Sequence, residues 1–304
     1  MNFVKWTSIE NSYRDKHINY FLEIFPELAD EEYLVTEKIH GSNFQWFLQP
    51  YENLMCGSRN QYLDVGGSFQ GASIPDLIES DRGLLLGLQH YCNETGNSVR
   101  LFGELFGDGI QKGVDYGPEK RLLYFGMMIN DELRPPFDLL RYIPENHIAP
   151  IVGVVQGLDE ALSINSEFDS WLSSAEDNIC EGIVIVPYRR VYQTDNGETF
   201  ILKKKNDAFI EKKAAPKTVV VDTEVQRLNS EFLLYINDNR LQSVFSKEGE
   251  IESPKEIGKY IRLVLEDAKE EFLKDNDIAE LDGGQIKQVF NVGGVIANML
   301  KGYL

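Results

Sequence analysis

The chain has 304 residues, of which 42% are hydrophobic and 26% are charged. Its formal net charge of −19 argues against a protein that is basic over its whole surface, the usual nucleic-acid-binding type, but permits a local basic groove. No apolar run approaches the length of about 18 residues that a membrane-spanning helix needs. The length predicts one large domain and a smaller one. Trp6, Trp46 and Trp171 are expected to be buried or partly buried.

Residues 1–10 and the three cysteines bear on the compartment. Residues 1–10 contain no basic stretch followed by a long apolar segment, so no signal peptide is expected. Cys56, Cys92 and Cys180 show no paired spacing, and neither a disulfide framework nor a zinc site is predicted. We therefore expect a cytoplasmic or other intracellular location, in a viral or a cellular host.

Predicted strands dominate the first two thirds of the chain. Short apolar or alternating runs predict strands within 32–49, 51–60, 99–106, 122–129, 152–155, 182–187 and 200–205. Helical spacing predicts helices within 18–28, 74–95 with an interruption at 81–83, 137–143 and 157–173. Many strands with interspersed helices indicate an α+β fold of mainly antiparallel sheets with flanking helices.

The composition shifts at 212–217, which is predicted to be a linker. We therefore predict a large first domain over 1–215 and a small all-helical domain over 216–304. Ser253-Pro254-Lys255-Glu256 has the pattern of a capping box before a helix. Apolar spacing across 286–300 predicts a last helix.

Lys38-Ile39-His40-Gly41 stands between two predicted strands. Gly41 allows a ligand to approach the backbone closely. A lysine at such a turn can be a covalent nucleophile that attacks phosphorus or a carbonyl, once its amine has lost the proton that a free lysine carries at pH 7. A surface lysine before a turn is the simpler interpretation of this stretch alone.

Other stretches of the chain supply the remaining groups that nucleotidyl transfer requires. With the lysine turn they form a series on or at the ends of predicted strands: Lys38 to Gly41, Ser58-Arg59, Phe102 to Leu105, Glu181 to Val184 and Lys203 to Lys205. Such a set combines a nucleophile with cations that neutralise phosphates and carboxylates that bind a metal ion or a ribose. Taken singly, each of these charged residues is more commonly a solvated surface group.

The series resembles the covalent nucleotidyltransferase superfamily of polynucleotide ligases and capping enzymes. It is most similar to the RNA ligase 2 family of phage-type double-strand RNA ligases. The stretches that carry the resemblance are Lys38–Phe44, Phe102–Glu104, Gly109–Tyr116, Lys203–Asn206 with Phe209 and Glu211–Lys213 after it and, beyond the predicted linker, Asn239-Arg240, Ser246–Ile251 and Pro254-Lys255.

The resemblance implies a catalytic role for several matched residues. Lys38 would receive the AMP, Arg59 would contact its phosphate, and Glu181 would lie near the metal ion. Lys203 and Lys205 would contact phosphates, with Lys203 nearer the α-phosphate. Strand alternation independently places these two lysines on one face and leaves Lys204 to solvent or RNA.

The resemblance also implies residues that bind the nucleotide. Glu104 would take the ribose hydroxyl and could share the metal ion with Glu181. The remaining residues expected at the nucleotide are Glu37, through its backbone or side chain, Ile39, His40, Asn43 and Phe125, which would stack on adenine.

Two positions depart from the family pattern. Gly126 stands where an aspartate is common after the stacking aromatic, and this leaves Tyr124 and Met127 as alternatives to Phe125. Val186 stands where a lysine is common, so a phosphate contact could be missing or supplied elsewhere.

The resemblance implies an ATP-dependent RNA ligase that uses Mg²⁺, or alternatively Mn²⁺, and forms a lysyl-AMP intermediate. Its partner would be nicked double-stranded RNA or an RNA/DNA hybrid, with no membrane, and we expect a monomer. The alternatives are a catalytically silent RNA-binding relative, favoured by Gly126 and Val186, and a related DNA ligase or capping enzyme.

Overall fold

The computed structural model describes residues 3–210, 224–276, 278 and 281–304. The chain divides into two compact units, Met1–Ala208 and Phe209–Leu304. The linker predicted at 212–217 lies outside the described residues, and so does the boundary predicted between residues 215 and 216. That boundary therefore stays a prediction.

Antiparallel pairing dominates the sheets of the first unit. Its described strands are β1 (Glu10–Asn11), β2 (Glu32–Glu37), β3 (Ser42–Leu48), β4 (Met55–Ser58), β5 (Tyr62–Leu63), β6 (Ser68–Phe69), β7 (Ala72–Ser73), β8 (Val99–Phe106), β9 (Arg121–Ile129), β10 (Glu132–Leu133), β11 (Ile151–Gln156), β12 (Gly182–Pro187) and β13 (Leu202–Lys205). Sheet A has the order β1-β13-β12-β2-β11, and sheet B has the order β10-β9-β8-β3-β4-β5, while β6 and β7 form a separate hairpin. The short pair β1–β13 is parallel. The predicted α+β class with mainly antiparallel sheets is confirmed.

Helices flank these sheets. Those described in the first unit are α1 (Asp15–Ile24), α2 (Ile74–Ser80), α3 (Arg82–Thr95), α4 (Pro136–Tyr142) and α5 (Leu158–Ser163). The predicted interruption is confirmed at Asp81, which ends α2 and precedes α3. The helix predicted over 157–173 is wrong beyond Ser163, because the carbonyls of Leu162 and Ile164 accept hydrogen bonds from the Lys204 ammonium instead of continuing the helix.

Alternating strand residues build separate cores on the outer faces of the two sheets. On sheet B, residues such as Phe44 and Trp46 face a core shared with α2, α3 and α4. On sheet A, residues such as Val35 and Ile183 face a core shared with α1 and α5. The inner faces meet at a smaller cluster around Trp6, which packs with Phe102, Met128 and Ile201. The strands therefore form a two-sheet body with a cleft between the inner faces.

The chain crosses from sheet A to sheet B at the lysine turn. β2 ends at Glu37 in sheet A, and β3 begins at Ser42 in sheet B. The Lys38 backbone N–H donates to Gly182 O at 2.8 Å, which ties the start of this crossing to β12. The sequence Lys38 to Gly41 is thus placed where the two sheets diverge.

The second unit is helical in its described part, as predicted. Its helices are α6 (Glu224–Leu233), α7 (Asp238–Glu248), α8 (Ile257–Asp275), α9 (Gly283–Val289) and α10 (Gly293–Leu300). The predicted capping box is confirmed, because the Glu256 carboxylate accepts a hydrogen bond from the Ser253 N–H at 3.1 Å. The single helix predicted over 286–300 is wrong, since the chain leaves helical geometry at Phe290–Val292 and restarts at Gly293.

Arg240 lies in the core of the second unit rather than on its surface, with 2% exposure. Its guanidinium donates to Asp267 Oδ2 at 2.6 Å and also pairs with Glu271. A buried guanidinium needs such carboxylates, because removing it from water is costly. Arg240 is therefore occupied in folding this unit. Among the described residues, no helix combines the length and the apolar character needed to cross a membrane.

Candidate active site around Lys38

Three basic side chains converge on the carboxylate of Glu181. Lys38 Nζ lies 2.7 Å from Glu181 Oε2, and His40 Nδ1 lies 3.1 Å from the same oxygen. Lys205 Nζ lies 2.8 Å from the other oxygen, Oε1. Glu181 itself is only 2% exposed. The structure therefore brings together the lysine turn, the end of β13 and the residue before β12, all of which the sequence predicted for the site.

The cations keep Glu181 ionised. Burial by itself raises the pKa of this carboxyl, but the charges of Lys205, Lys38 and His40 outweigh burial and hold the pKa well below its ordinary value. A buried carboxylate without such partners would take up a proton instead. The cluster is therefore a preformed set of opposite charges in a cleft.

Glu104 occupies a different electrostatic environment in the same site. It lies on β8 directly opposite Asn43 on β3. Burial is the main cause that raises its pKa, the Lys38 and Arg59 charges lower it, the Glu181 charge raises it, and the net result is a pKa of about 7. Arg59, which follows β4, is thus near enough to influence Glu104. The two predicted acids differ in protonation, one fixed as a carboxylate and one able to bind a proton near neutral pH.

Gly41 is required by the close approach of β8. A Cβ atom added at Gly41 would lie 2.2 Å from Leu105 O and 3.0 Å from Glu104 Cγ. Real Cβ atoms do not come that close to a carbonyl oxygen, so only glycine fits here. The glycine lets the turn that carries Lys38 pass directly beside the Glu104 side chain.

Asn43 faces the cleft with an unused acceptor. Its Oδ1 atom is buried and accepts no hydrogen bond from the described residues. Buried polar atoms are normally paired, so an unpaired one at a site is a place for a ligand group. Asn43 shares its face of sheet B with Glu104, which supports the predicted position of both at the ribose of a nucleotide.

Glu37 directs its carboxylate away from the cleft. Ser170 Oγ donates to Glu37 Oε1 at 2.5 Å, and the Trp171 backbone N–H donates to Oε2 at 3.0 Å. Burial raises the pKa of Glu37, and these two hydrogen bonds partly oppose the rise. Of the two routes predicted for Glu37, contact through the side chain is disfavoured and contact through the backbone remains. Ile39 is also buried, so its side chain packs inside the protein.

Trp171 is not buried as predicted, since 58% of the residue is exposed. Its backbone N–H is bonded to Glu37, while its ring lies beside Phe168 with 5.8 Å between ring centroids. Trp6 and Trp46 are buried, as expected. The difference arises because Trp171 lies on the connection between α5 and β12 that the sequence wrongly assigned to a helix.

The aromatic residues of β9 point to opposite sides of sheet B. Tyr124 lies in the outer core, where its hydroxyl accepts a hydrogen bond from Trp46 Nε1 at 2.8 Å, and Met127 lies in the same core. Phe125 instead packs against Trp6 on the inner side, with ring centroids 5.3 Å apart. Of the three residues considered for adenine stacking, Phe125 is the one on the cleft side, and its stacking stays a prediction.

Both departures from the family pattern are next to Trp6. A Cβ atom at Gly126 would lie 2.0 Å from the Trp6 indole, so an aspartate fits this position only if the indole moves. Val186 packs in the same cluster, and with Phe125, Gly126 and Trp6 it lines a partly open pocket. Gly126 and Val186 therefore belong to one packing arrangement around Trp6 and are not two separate losses of functional side chains. Local sequence patterns did not indicate this packing, because Trp6 is about 120 residues from Gly126.

The three consecutive lysines of β13 have different environments. Lys205 pairs with Glu181, whereas the Lys204 ammonium donates to Leu162 O at 2.9 Å and Ile164 O at 2.8 Å. The prediction that Lys204 serves solvent or RNA is therefore wrong, because this lysine caps the C-terminal end of α5. Strand alternation does direct Lys203 and Lys204 to opposite faces.

The loop of residues 107–117 supplies contacts that sequence reasoning did not assign. Lys112 O lies 3.0 Å from His40 Nε2, and the Tyr116 hydroxyl accepts a hydrogen bond from the His40 backbone N–H at 2.9 Å. The sequence analysis noted this stretch for its resemblance but gave none of its residues a role. The glycines at 107, 109, 113 and 117, all with positive φ, were the signal that a shaped loop lies here.

The donor set can be tested against a divalent metal ion. Among the described residues, no group of three or more His, Cys, Asp or Glu side chains could hold a metal ion unaided. Mg²⁺ in nucleotide sites is commonly bound by one or two carboxylates together with substrate phosphates and water. Glu181 and Glu104 supply carboxylates of the type that Mg²⁺ or Mn²⁺ prefers, so these residues fit a metal ion that arrives with a nucleotide.

The fold has two mainly antiparallel sheets, and the chain passes from one to the other at Lys38. Together with the cluster of acids and cations in the cleft, this arrangement defines the class of α+β nucleotidyltransferases. Comparison with known proteins specifies the family. The family profile described as RNA ligase matches residues 31–205, and the profile described as T4 RNA ligase 2 C-terminal matches residues 219–293. The chain belongs to the RNA ligase family.

Two solved structures are similar to this chain at low sequence identity. A mutant Naegleria gruberi RNA ligase with ATP and Mn is similar with a TM-score of 0.50 and 18% identity, over 69% of this chain and 58% of that chain. A second mutant of that ligase, with AMP and Mn, has a TM-score of 0.49 and 16% identity over the same shares. This chain thus matches less than three fifths of the Naegleria ligase chain.

Proposed function

We propose that this protein is an ATP-dependent RNA ligase that seals a 3′-hydroxyl to a 5′-phosphate at a nick in duplex RNA or in an RNA/DNA hybrid. The observation that carries the proposal is the contact of Lys38 and Lys205 with opposite oxygens of Glu181 at the crossing between the two sheets. Membership of the RNA ligase family and the match to the T4 RNA ligase 2 C-terminal profile support it.

In the first step Lys38 Nζ attacks the α-phosphorus of ATP. A nitrogen–phosphorus bond forms, the bond from the α-phosphorus to the bridging oxygen breaks, pyrophosphate leaves with the electron pair, and the amine loses its proton. ATP phosphates compete with Glu181 for Lys38 and Lys205, so nucleotide binding releases the nucleophile from its ion pair. Arg59 and Lys203 supply further positive charge for the phosphates.

In the second step an oxygen of the 5′-phosphate at the nick attacks the lysyl-AMP phosphorus, the nitrogen–phosphorus bond breaks, and the Lys38 amine leaves and takes up a proton. In the third step the 3′-hydroxyl loses its proton and attacks the 5′-phosphorus of the activated end, a phosphodiester bond forms, the bond from that phosphorus to the bridging oxygen breaks, and AMP leaves with that oxygen. Both steps are in-line transfers in which positioning and charge neutralisation provide most of the catalysis.

The chain's own residues orient the nucleotide. Glu104 and Asn43 lie side by side on sheet B, where they suit the ribose, and Phe125 provides an aromatic face on the cleft side of β9 for adenine. Glu37 and Ile39 flank Lys38 in the sequence, so their backbone lies at the lysine turn, where it can contact the nucleotide. Glu181 and Glu104 would hold Mg²⁺ or Mn²⁺, which neutralises phosphate charge when bound.

Labelling with ATP tests this proposal. The protein is incubated with α-labelled ATP and Mg²⁺, and covalent label and intact mass are measured for the wild type and for Lys38→Ala. We expect one AMP per wild-type chain and none on the variant. A nicked RNA duplex is then added, and sealing is followed by gel. Label retained by Lys38→Ala would refute Lys38 as the nucleophile, and absence of labelling and sealing by the wild type would refute the ligase function.

GTP and a nicked DNA duplex serve as controls in the same assays. Preference for GTP would indicate a capping-type enzyme, and preference for nicked DNA would indicate a DNA ligase. RNA binding without labelling would indicate a catalytically silent relative. The use of ATP with sealing of RNA is the expected result.

A further inference from the structure

The 107–117 loop is bonded directly to the histidine of the candidate site. Lys112 O lies 3.0 Å from His40 Nε2, and the Tyr116 hydroxyl accepts a hydrogen bond from the His40 N–H at 2.9 Å. These contacts are made by the backbone carbonyl of Lys112 and the side chain of Tyr116, so a substitution of the Lys112 side chain leaves both in place. The loop is therefore fixed against the turn that carries Lys38.

Further contacts order the loop from its other side. The Asp115 N–H donates to Asn178 Oδ1, and Asn178 Nδ2 donates to Asp115 O, both at 2.8 Å. Ile110 and Val114 are each 6% exposed and anchor the loop in the protein. Because the backbone is already ordered, a ligand that meets this loop finds its side chains on a fixed support.

His40 connects the buried carboxylate to the rim of the site. Its Nδ1 faces Glu181 Oε2 at 3.1 Å, and its Nε2 faces Lys112 O. The Lys112 side chain is exposed, and its ammonium forms no ion pair or hydrogen bond with the residues that the structure describes. An exposed cation without a partner among the described residues thus lies one histidine away from the carboxylate that holds Lys38.

We infer that the Lys112 ammonium binds a phosphate of the polynucleotide, an inference that rests on the proposed function. Lys38 and Lys205 lie at the buried carboxylate, where they serve the nucleotide. Lys112 lies outside this cluster, is exposed to solvent, and is joined to the cluster through His40. Phosphate is the anionic group that a polynucleotide offers to a lysine. Because this chain has a net charge of −19, its contacts to polynucleotide phosphates depend on individual lysines.

The test compares Lys112→Ala with Lys112→Arg and with Lys16→Ala, which removes an exposed lysine of α1. Equilibrium binding to a nicked RNA duplex is measured across a salt series, with a 5′-phosphate or a 5′-hydroxyl at the nick. Self-adenylylation is measured separately as a function of ATP concentration. We expect Lys112→Ala to weaken RNA binding about tenfold at low salt and to reduce the salt slope by about one, while Lys112→Arg and Lys16→Ala stay near the wild type.

Each outcome decides the inference. A loss confined to the 5′-phosphorylated duplex assigns Lys112 to the terminal phosphate, and an equal loss on both duplexes assigns it to an internal phosphodiester. Unchanged RNA binding in Lys112→Ala overturns the inference. So does a raised KM for ATP with unchanged RNA binding, which would place the ammonium at the nucleotide phosphates. Failure of the wild type to label or seal would instead count against the proposed function.

Discussion

Lys38 Nζ and Glu181 Oε2 lie 2.7 Å apart although 143 residues separate them in the chain. The pairing of β2 with β12 brings them together, because its register sets Ile183 opposite Glu37 and continues as the hydrogen bond from the Lys38 N–H to Gly182 O. A slip of one residue would turn Lys38 to the other face of sheet A. The register of two central strands therefore positions the proposed nucleophile.

Substitution of Glu181 tests this relationship. Glu181→Gln removes the charge shared by Lys38, His40 and Lys205, so these groups lose their fixed positions. We expect self-adenylylation to fall by about 100-fold or more, measured with labelled ATP at saturating Mg²⁺. Glu176→Gln, on an exposed loop, is the matched control and should label like the wild type. Normal labelling by Glu181→Gln would contradict the assigned role.

Gly41→Ala tests the close approach between the lysine turn and β8. The added Cβ would lie 2.2 Å from Leu105 O, so the backbone must shift, and we expect a loss of about 2 kcal/mol in the free energy of unfolding together with loss of labelling. Gly87→Ala is the control, since that glycine lies within α3 with open space around it and should gain about 0.5–1 kcal/mol. Chemical denaturation measures both. An unchanged Gly41→Ala protein would mean that the turn can relax.

Glu104→Gln should change how stability depends on pH. Burial raises the pKa of Glu104 to about 7 in the folded protein, above the value near 4.3 of an unfolded glutamate. Between these values the folded state binds more protons than the unfolded state, so this group's contribution to stability falls as the pH rises from about 4 to 7. We compare the fall in the free energy of unfolding between pH 5 and pH 8, measured without ATP or metal. We expect this fall to be smaller in Glu104→Gln than in the wild type, by on the order of 2 kcal/mol. Parallel denaturation profiles would show that Glu104 titrates normally.

Gly126 and Trp6 should behave as a coupled pair. Gly126→Asp forces a side chain into the space of the Trp6 indole, and we expect a loss of about 3 kcal/mol in the free energy of unfolding. Trp6→Ala leaves a cavity and is also destabilising. In the double variant the aspartate has room, so the combined loss should be smaller than the sum of the two single losses. Simple additivity would mean that Trp6 does not determine the residue at position 126.

Lys204 and Lys205 are predicted to differ although they are adjacent on β13. Lys204→Ala removes two hydrogen bonds to the end of α5 and should lower the free energy of unfolding by about 1–2 kcal/mol, with labelling by ATP retained. Lys205→Ala removes a cation from Glu181 and should abolish efficient labelling. The two assays are run on both variants. Loss of labelling in Lys204→Ala at a temperature where it is folded would contradict the capping assignment.

Local sequence patterns predicted most of the strands and the composition of the candidate site. Strand ends, a lysine turn closed by a glycine, and alternation along Lys203 to Lys205 are properties of a few neighbouring residues, so they can be recognised without knowing the fold. Glu181, Lys38 and Lys205 were predicted for one site, and both lysines contact Glu181.

Other features depended on contacts between distant segments, which local patterns do not encode. The sequence suggested that Lys204 faced solvent or RNA, that Trp171 was buried or partly buried and that Gly126 weakened the match to the family. The fold placed an α5 carbonyl at Lys204, left Trp171 exposed on a loop and set Trp6 against Gly126. The sequence thus determined the chemical groups and the local elements that carry them. Only the packing of the two sheets decided which groups meet, because burial and charge pairing depend on distance in space rather than along the chain.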